Sequence, residues 1–236
     1  MKRRRGIVFV HGIVGNNRIF DFLVSRVPDN WEIRFVTLEG HGGDALSFSH
    51  ASMGEWKRQV GEAVEELSRR CDGIIGVGHS MGCLLLMHQA AGGKLSGLFL
   101  MNPPLRIKLR SSLLENVIKV AGGITKGDPV AEAAKEAYGV SFDFNPLHYY
   151  GWPKRYFELF REIAYVRANV VGKIRCPVRA ILSDKDEMVS LASQSDLRCI
   201  PNLVIRILPN STHYYYTEKD RLTICEEFDG SIGMQE

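Results

Sequence analysis

Six short runs of apolar and β-branched residues recur along the chain and constrain its fold more than any other feature. They are GIVFVHG (6–12), WEIRFVTL (31–38), GIIGVGHS (73–80), LSGLFLMNP (95–103), CPVRAILSD (176–184) and NLVIRILPN (202–210). Such near-continuous hydrophobicity is typical of strands buried on both faces of a parallel sheet. Helical patterns separate most runs, as in the spacing of Trp56, Val60 and Val64. The order predicts an α/β fold, with right-handed crossovers and a mostly parallel sheet of about six strands flanked by helices.

The segment from Pro104 to about Gly172 interrupts this alternation, because it contains no strand pattern. It is helical in pattern and rich in aromatic residues, namely Tyr138, Phe142, Phe144, Tyr149, Tyr150, Trp152, Tyr156, Phe157, Phe160 and Tyr165. An insertion of this size after the fourth strand predicts a helical cap at 104–172, with a core formed by 1–103 and 173–236. We expect the cap over the carboxyl edge of the sheet, where ligands bind in open α/β sheets. The aromatic rings either line a pocket or form the small core of the cap itself.

One stretch of this insertion, PKRYFELFREIAYV, has the spacing of an amphipathic helix. Pro153 is favourable in the first turn of a helix. Tyr156, Phe160 and Ile163 then fall on one stripe, with Phe157 beside it. We expect this stripe to face the sheet edge, so that Tyr156 and Phe160 contact the acyl part of a substrate.

Composition and charge argue against several kinds of partner. The 236 residues carry a net charge of only +3, and much of it lies in the basic start at 2–5. So small a charge argues against a nucleic-acid partner, and the basic start is interpreted as a solvated tail. The apolar run that follows is too short for a secretory signal. The chain also lacks the window of about 18 apolar residues that stable membrane insertion requires.

The cysteine pattern indicates a reducing compartment. The five cysteines are Cys71, Cys83, Cys176, Cys199 and Cys225. They are odd in number and widely spaced, and none forms a C-x-x-C pair, which argues against both a disulfide framework and a zinc site. We therefore predict free thiols, a cytoplasmic location and no metal. His50 and His148 also lack partners at metal-ligand spacing.

The pentapeptide GHSMG, residues 78–82, lies between the apolar run that ends at Val77 and the helical pattern CLLLMHQAA. A strand that passes through glycines into a helix is the context of a nucleophile elbow, in which the serine takes strained backbone angles. Gly78 and Gly82 fit this turn because a Cβ at either position would clash where the chain reverses. The helix N-terminus favours developing negative charge. Ser80 is therefore a candidate nucleophile, whereas Cys83 is interpreted as a buried, inert thiol.

A serine nucleophile needs a base that takes its proton and an acid that orients the base. The turn after the fifth run offers Asp184, Asp186 and Glu187, and the loop after the sixth run offers His213. Both loops leave a parallel sheet at the same edge as Ser80. The residues needed for nucleophilic catalysis are therefore expected together at that edge.

These motifs together resemble the α/β-hydrolase superfamily, and within it the compact bacterial carboxylesterases and monoacylglycerol lipases. The resemblance covers nearly the full length and rests on HG (11–12), EGHG (39–42), GHSMG (78–82), MNPPLRIK (101–108), DKDEMV (184–189) and STH (211–213). It implies an α/β-hydrolase fold without the two leading antiparallel strands of larger relatives. Ser183 and Ser190 depart from the usual family pattern, but neither touches the mechanism.

The resemblance also implies the catalytic roles. Ser80 would be the nucleophile and His213 the base, in the serine, acid, base order of this architecture. Asp186 would be the acid, because it lies three residues before the valine of D-x-x-V. The oxyanion hole would use the backbone N–H groups of Ile13 and Met81.

The substrate is expected beside these groups. Gly12 and His79 adjoin the oxyanion donors and are predicted to contact it, whereas Glu39 and His41 are interpreted as shaping the pocket floor. The implied reaction is hydrolysis of a short or medium acyl ester, or of a monoacylglycerol, through an acyl-enzyme on Ser80 and without a cofactor.

Two alternatives use the same fold. Thioester hydrolysis or acyl transfer would form the same acyl-enzyme from another leaving group or pass it to another acceptor. A non-catalytic protein that binds a small molecule is the alternative from a different class. The presence of all three triad residues argues against the binding protein.

Overall fold

The six apolar runs form the six strands of one sheet in the computed structural model, which describes residues 4–233. The strands are β1 (Arg5–Val10), β2 (Glu32–Val36), β3 (Gly73–His79), β4 (Gly97–Met101), β5 (Val178–Ser183) and β6 (Leu203–Leu208). Their order across the sheet is β2-β1-β3-β4-β5-β6, and every described pair is parallel. The predicted α/β-hydrolase architecture is confirmed.

Helices connect and cover these strands. They are α1 (Asp21–Val24), α2 (Ala45–His50), α3 (Met53–Ser68), α4 (Met81–Ala91), α5 (Ser111–Ala121), α6 (Pro129–Ala137), α7 (Trp152–Asn169), α8 (Ser193–Leu197) and α9 (Glu218–Gly233). Short 3₁₀ helices lie at Asn17–Phe20, Pro146–Tyr149 and Val171–Lys173. Among residues 4–233, no helix combines the length and the apolar character that a membrane span needs.

The central strands β1, β3, β4 and β5 are buried on both faces, as their continuous hydrophobicity predicts, whereas most residues of the edge strands β2 and β6 are exposed or half-buried. Val8 and Val10 of β1 point into a core layer that contains apolar residues of α3, α4 and α7. Ile7 and Phe9, which alternate with them, point into the opposite layer, built on α9 and the region around α1. Helix α4 is apolar on nearly all sides because it lies inside the first layer. The central strands and α4 therefore form a rigid support for whatever their ends carry.

The segment 104–172 contains α5, α6 and α7, and it joins β4 to β5. Its first residues pair with the loop after β5, since Ile107 and Val189 form an antiparallel bridge. It also contacts the loops after β1 and β2, where Tyr138 pairs with Gly15 and Ser141 pairs with Asp44. The residues beyond β4 are thus attached to three separate loops at the carboxyl edge. We retain the division into a core and a cap, with the boundaries given above, as a proposal.

Helix α7 buries a face that overlaps the predicted stripe at Ile163. Its buried apolar side chains are Leu159, Ile163 and Val166, whereas Phe160 is 46% exposed and Phe157 is 61% exposed. The same inner face also carries a buried charge, because Glu162 forms ion pairs with Lys57 and His88.

The basic start extends less far than the sequence suggests. Arg5 is the first residue of β1, and its carbonyl-side neighbours run into the buried strand. Arg4 is exposed, as a solvated residue would be. The interpretation of Lys2 and Arg3 as a tail falls outside the described residues.

Candidate active site

The turn between β3 and α4 places Ser80 at the centre of the carboxyl edge. Ser80 has φ 53° and ψ −122°, in the left-handed half of backbone space that a residue other than glycine rarely adopts. Its N–H donates to the carbonyl of Met101 at the end of β4, at 2.9 Å. The strained angles are thereby held in place by the neighbouring strand. The geometry is that of a nucleophile elbow.

Close backbone approach accounts for the glycines of this turn. A Cβ on Gly82 would lie 2.0 Å from the carbonyl oxygen of Val10, and a Cβ on Gly78 would lie 2.8 Å from the backbone nitrogen of Cys83. Gly12 faces the serine directly, because a Cβ there would lie 2.8 Å from the Cβ of Ser80. A side chain at any of the three positions would displace the turn.

The loops after β5 and β6 bring an acid and a histidine into contact. Nδ1 of His213 lies 2.7 Å from Oδ2 of Asp186, and both side chains are almost fully buried. The other oxygen of Asp186 accepts the N–H groups of Met188 at 2.8 Å and Val189 at 2.7 Å. Asp184 is exposed and makes no contact with His213. Of the two aspartates that the sequence offers, the geometry favours Asp186 as the partner of the histidine.

The ring of His213 packs against the residue that precedes Ser80. The ring of His213 packs 4.8 Å from the ring of His79, the residue before Ser80, and Nε2 of His79 donates to the His213 carbonyl at 3.0 Å. Nε2 of His213 is buried and has no hydrogen-bond partner among residues 4–233, so it is not bonded to the Ser80 hydroxyl in this structure. Its lone pair is therefore available to accept a proton. Catalytic hydrogen bonds of this kind commonly shorten when substrate binds.

Charge decides the protonation preference of His213. Burial by itself lowers the pKa of this imidazole, but the negative charges of Asp186 and Glu187 outweigh it, and the net pKa is raised. His79 behaves in the opposite way: burial and the proximity of His213 lower its pKa well below the ordinary range. His79 is accordingly a neutral donor, and His213 is the histidine of the pair that gains a proton more easily.

The loop after β1 is held by two neutral histidines. His41 accepts the N–H of Val14 at 3.0 Å through Nε2, and burial lowers the pKa of His41 to about 3. His11 accepts the N–H of Leu38 at 3.2 Å, and burial lowers the pKa of His11 to about 4. A charged imidazole could not accept either bond. These histidines fix the loop that carries the predicted oxyanion donor Ile13, which gives His41 a more specific task than shaping a pocket floor.

The two predicted oxyanion donors lie where their N–H groups are available. Ile13 follows Gly12 in the fixed loop, and no hydrogen bond to its N–H is found within residues 4–233. Met81 is the first residue of α4, where an N–H has no partner within the helix. The helix dipole adds a favourable potential for an anion at Met81. The arrangement is suited to stabilising an oxyanion next to Ser80.

A cavity of about 380 Å³ opens at Ser80 between the carboxyl edge and the segment 104–172. Five aromatic residues of that segment line it, namely Tyr138, Phe142, Trp152, Tyr156 and Phe160. We call it the Ser80 cavity. Gly12 and His79, which the sequence places at the substrate, do not line it; they support Ser80 and His213 from behind. Larger grooves of about 820, 770 and 540 Å³ lie elsewhere, and Ser80 lines none of these three.

The remaining aromatics of the segment separate by exposure. Phe144, Tyr150, Phe157 and Tyr165 are largely exposed and form neither the cavity nor a core. Cys83 is fully buried, and burial raises the pKa of its thiol, which is therefore unreactive as a thiolate. Residues 4–233 contain no group of three or more His, Cys, Asp or Glu side chains placed to hold a metal ion.

Two further residues at the site make contacts that the sequence does not predict. Glu187 accepts the backbone N–H of His213 at 3.0 Å, and Asn116 of α5 donates to the other oxygen of Glu187 at 3.2 Å. Glu187 is among the candidate acids that the sequence offers, but the structure places it against the backbone of His213 rather than against its ring. No pattern marks Asn116, because its partner lies 71 positions away along the chain.

A six-stranded parallel sheet with a strained serine elbow and a histidine–carboxylate pair at its carboxyl edge defines the α/β-hydrolase class. The sequence model of the alpha/beta hydrolase family matches residues 7–224, and the chain therefore belongs to that family. No curated protein matches the sequence significantly.

Solved structures with this fold include several lipolytic enzymes. A structure from work on LipS and LipT, two metagenome-derived lipolytic enzymes, is 20% identical, with a TM-score of 0.75 over 98% of this chain and 94% of that chain. A monoacylglycerol lipase from Paleococcus ferrophilus is 19% identical, with a TM-score of 0.67 over 96% and 94%. A monoglyceride lipase from Saccharomyces cerevisiae is 16% identical, with a TM-score of 0.67 over 98% and 86%. At these identities the likeness shows the shared fold.

The contact between Asp186 and His213 generates a prediction about the acid. Asp186→Asn is expected to lower kcat by a factor on the order of 10³ to 10⁴, because an amide cannot stabilise the imidazolium or hold its tautomer. Asp184→Asn, which changes an exposed side chain two residues away, serves as the matched control and should retain activity close to that of the wild type. Steady-state kinetics on a p-nitrophenyl ester measure both. A reversed result, with Asp184→Asn inactive, would assign the acid to Asp184.

Proposed function

We propose that the protein is a serine hydrolase that cleaves uncharged carboxylic esters through an acyl-enzyme on Ser80. The observation that supports this most directly is the buried pair of His213 and Asp186 beside a strained serine that opens into an apolar cavity. Nε2 of His213 takes the proton of the Ser80 hydroxyl while Oγ attacks the ester carbonyl. The N–H groups of Ile13 and Met81 hold the oxyanion.

The same groups complete the cycle. His213 returns its proton to the leaving alcohol as the carbon–oxygen bond of the ester breaks, which leaves the acyl group on Ser80. Water then replaces the alcohol, His213 takes a proton from it, and the second tetrahedral intermediate collapses to release the acid. Asp186 orients the imidazole and stabilises its cationic form throughout.

The lining of the Ser80 cavity indicates an apolar, uncharged substrate. Apart from Ser80, its lining within residues 4–233 consists of apolar and aromatic side chains and contains no Asp, Glu, Lys or Arg. A charged acyl group would lose its hydration there without a compensating partner. A volume of about 380 Å³ falls in the range of small-molecule sites and suits a short or medium acyl chain. The lipolytic enzymes among the structures that share the fold agree with this class of substrate.

Two phenols distinguish one side of this cavity. Tyr138 and Tyr214 line it, and the structure shows no hydrogen bond to their hydroxyls within residues 4–233. The ring of Tyr214 lies 4.7 Å from that of His213, and the ring of Tyr138 lies 5.6 Å from that of Tyr214. Because His213 must protonate the leaving alcohol, the alcohol part of the ester lies on this side. An alcohol with additional hydroxyls, such as the glycerol of a monoacylglycerol, would pair with these phenols.

The cellular location that we propose is the cytoplasm. All five cysteines are free thiols in the structure, and Cys71 and Cys83 are buried. Free thiols of this number are the ordinary state of proteins in a reducing compartment.

The triad generates a prediction about additivity. Ser80→Ala and His213→Ala are each expected to lower kcat by a factor on the order of 10⁴ or more, and the double variant should be scarcely worse, because the residues act as one unit. Esterase kinetics, together with labelling by an organophosphate, test this. Labelling is expected at Ser80 alone. Multiplicative losses in the double variant, or labelling at Cys83, would contradict the mechanism.

The partial exposure of Phe160 generates a prediction about acyl length. Phe160→Ala should reduce kcat/KM by about 1 kcal/mol, or roughly fivefold, for octanoate and laurate esters and hardly at all for acetate, because only a long chain reaches the ring. Phe157→Ala is the matched control, since that ring is more exposed and does not line the cavity. The measurement is kcat/KM across acetate, butyrate, octanoate and laurate esters. An equal loss at all four lengths would show that the ring supports only the fold.

The phenols generate a prediction about the alcohol. Tyr138→Phe removes one hydroxyl and keeps the ring, so kcat/KM for glycerol monobutyrate should fall about fivefold, the effect of one hydrogen bond. Ethyl butyrate, which has the same acyl group and no free hydroxyl, should be hydrolysed at an unchanged rate. If both esters lose activity equally, the phenol does not recognise the alcohol.

A further inference from the structure

Glu187 is a buried carboxylate for which the reaction described above has no role. It is 3% exposed and faces the backbone of the catalytic histidine rather than its ring. Oε2 accepts the N–H of His213 at 3.0 Å, and Oε1 accepts the side-chain amide of Asn116 at 3.2 Å. Both oxygens are thus engaged by N–H donors, an arrangement that an ionised carboxylate satisfies in full. Glu187 forms no ion pair within residues 4–233, unlike the buried Glu162 and Glu227.

Burial of a carboxylate without a cation is costly, so a residue of this kind is a candidate for function. Glu162 is buried against Lys57 and His88, and Glu227 is buried against Arg179 and Arg206. Those two carboxylates are explained by their partners. Within residues 4–233, the hydrogen-bond donors to the Glu187 carboxylate are neutral, and His213 beside it becomes positive when it takes the proton of Ser80.

Asn116 connects this carboxylate to the helix that begins the segment 104–172. It is the only buried residue of α5, whose other side chains are exposed or half-buried. The strand-like residues before α5 run antiparallel to the residues around Glu187. Lys108 N–H donates to the carbonyl of Met188, and Arg110 N–H donates to the carbonyl of Glu187, each at 2.9 Å. The Glu187 side chain therefore joins the start of the segment 104–172 to two loops. One is the loop after β5 that carries Asp186, which we call the acid loop, and the other is the loop after β6 that carries His213, which we call the histidine loop.

We propose that Glu187 is a second carboxylate that positions His213 and stabilises its cationic form. Because Asn116 of α5 is bonded to Glu187, the position of α5 contributes to the positioning of His213. This inference rests on the proposed function, because it assigns a role in the same proton transfer. Asp186 acts on the ring through Nδ1, and Glu187 acts on the main chain through the His213 N–H. The two carboxylates together fix the imidazole in position and orientation.

The charges around His213 determine the expected pH effect. The titratable groups that face it are Asp186, Glu187, His79, Tyr214 and Tyr216. The pKa of His79 is lowered by burial and the pKa values of both tyrosines are raised by burial, so these three are neutral near pH 7. Asp186 and Glu187 are the charged neighbours, and both raise the pKa of His213 against the opposing effect of burial. Removing the charge of Glu187 must therefore lower that pKa.

The central variant is Glu187→Gln, which keeps the shape and can still accept the His213 N–H but has no charge. Two opposite effects are expected on p-nitrophenyl acetate. The acid limb of kcat/KM should move to lower pH, because neutral His213 persists to lower pH. The plateau of kcat should fall on the order of tenfold, because the imidazolium of the transition state is less stabilised, while KM stays nearly constant.

Asn116→Leu tests the connection to α5. It keeps the charge of Glu187 and removes the bond, so kcat should fall several-fold through displacement of the histidine loop while the acid limb stays in place. An acetate ester is used because its acyl group is too small to report on the lining of the cavity. Glu115→Gln is the matched control, since it removes an exposed charge from the adjacent position of the same helix. Its rate and pH profile should equal those of the wild type.

A second readout does not depend on turnover. In the Ser80→Ala background, the titration of the His213 imidazole followed by NMR should give a lower pKa with Glu187→Gln and an unchanged one with Glu115→Gln. If the wild type hydrolyses no ester, the proposed function fails, and this titration still decides the effect of Glu187 on His213. With an active wild type, an unshifted acid limb for Glu187→Gln overturns the positioning role, whatever the loss of kcat or thermal stability. An undiminished kcat for Asn116→Leu overturns the role of α5.

Discussion

The contact between the first turn of α4 and the end of β1 is the constraint on which the site depends. The carbonyl oxygen of Val10 lies so near Gly82 that any side chain there would overlap it, and α4 can begin at this place only through glycine. Ser80 lies between this fixed helix start and its own N–H bond to Met101, and it adopts φ 53° there. The strain in one residue is offset by the packing of an almost wholly buried helix. The loops after β1, β5 and β6 are then arranged around a serine whose backbone is held in position.

Much of this arrangement could be predicted from the sequence because its signals are local. The strands follow from continuous apolar runs, and the elbow follows from GHSMG between a strand and a helix pattern. Which of Asp184, Asp186 and Glu187 acts as the acid cannot be decided from the residues themselves, because the answer depends on a contact with a distant part of the chain. It depends on which side chain of one turn reaches a loop 27 residues later, and Asp186 is the one in contact with His213. The burial of Glu162 on α7 could not be predicted from apolar spacing, because its partners Lys57 and His88 lie on other helices.

The histidines show why residue type is a poor guide to charge. His11, His41, His79 and His213 are all buried within a few residues of the catalytic edge, and their sequence contexts give no ranking. Burial lowers the pKa in the first three, each of which bonds to backbone groups as a neutral ring. His213 alone has carboxylates beside it, and its pKa is raised despite the same burial. The difference lies in neighbours that are distant in sequence, so it becomes visible only in the folded chain.

The attachment of the segment 104–172 limits how specificity and catalysis can be separated. Its first residues share backbone hydrogen bonds with the acid loop, from Lys108 to Met188 and from Ser190 to Arg106. A displacement of these first residues would break those bonds and withdraw Asn116 from Glu187, so movement at this end of the segment is costly. Phe160 on α7 lines the cavity from the other end of the segment and has no bond to the acid or the base. Substitutions in α7 and around Tyr138 can therefore change substrate preference. Substitutions at the start of α5 would also affect catalysis, because this part of the segment is connected to the catalytic residues.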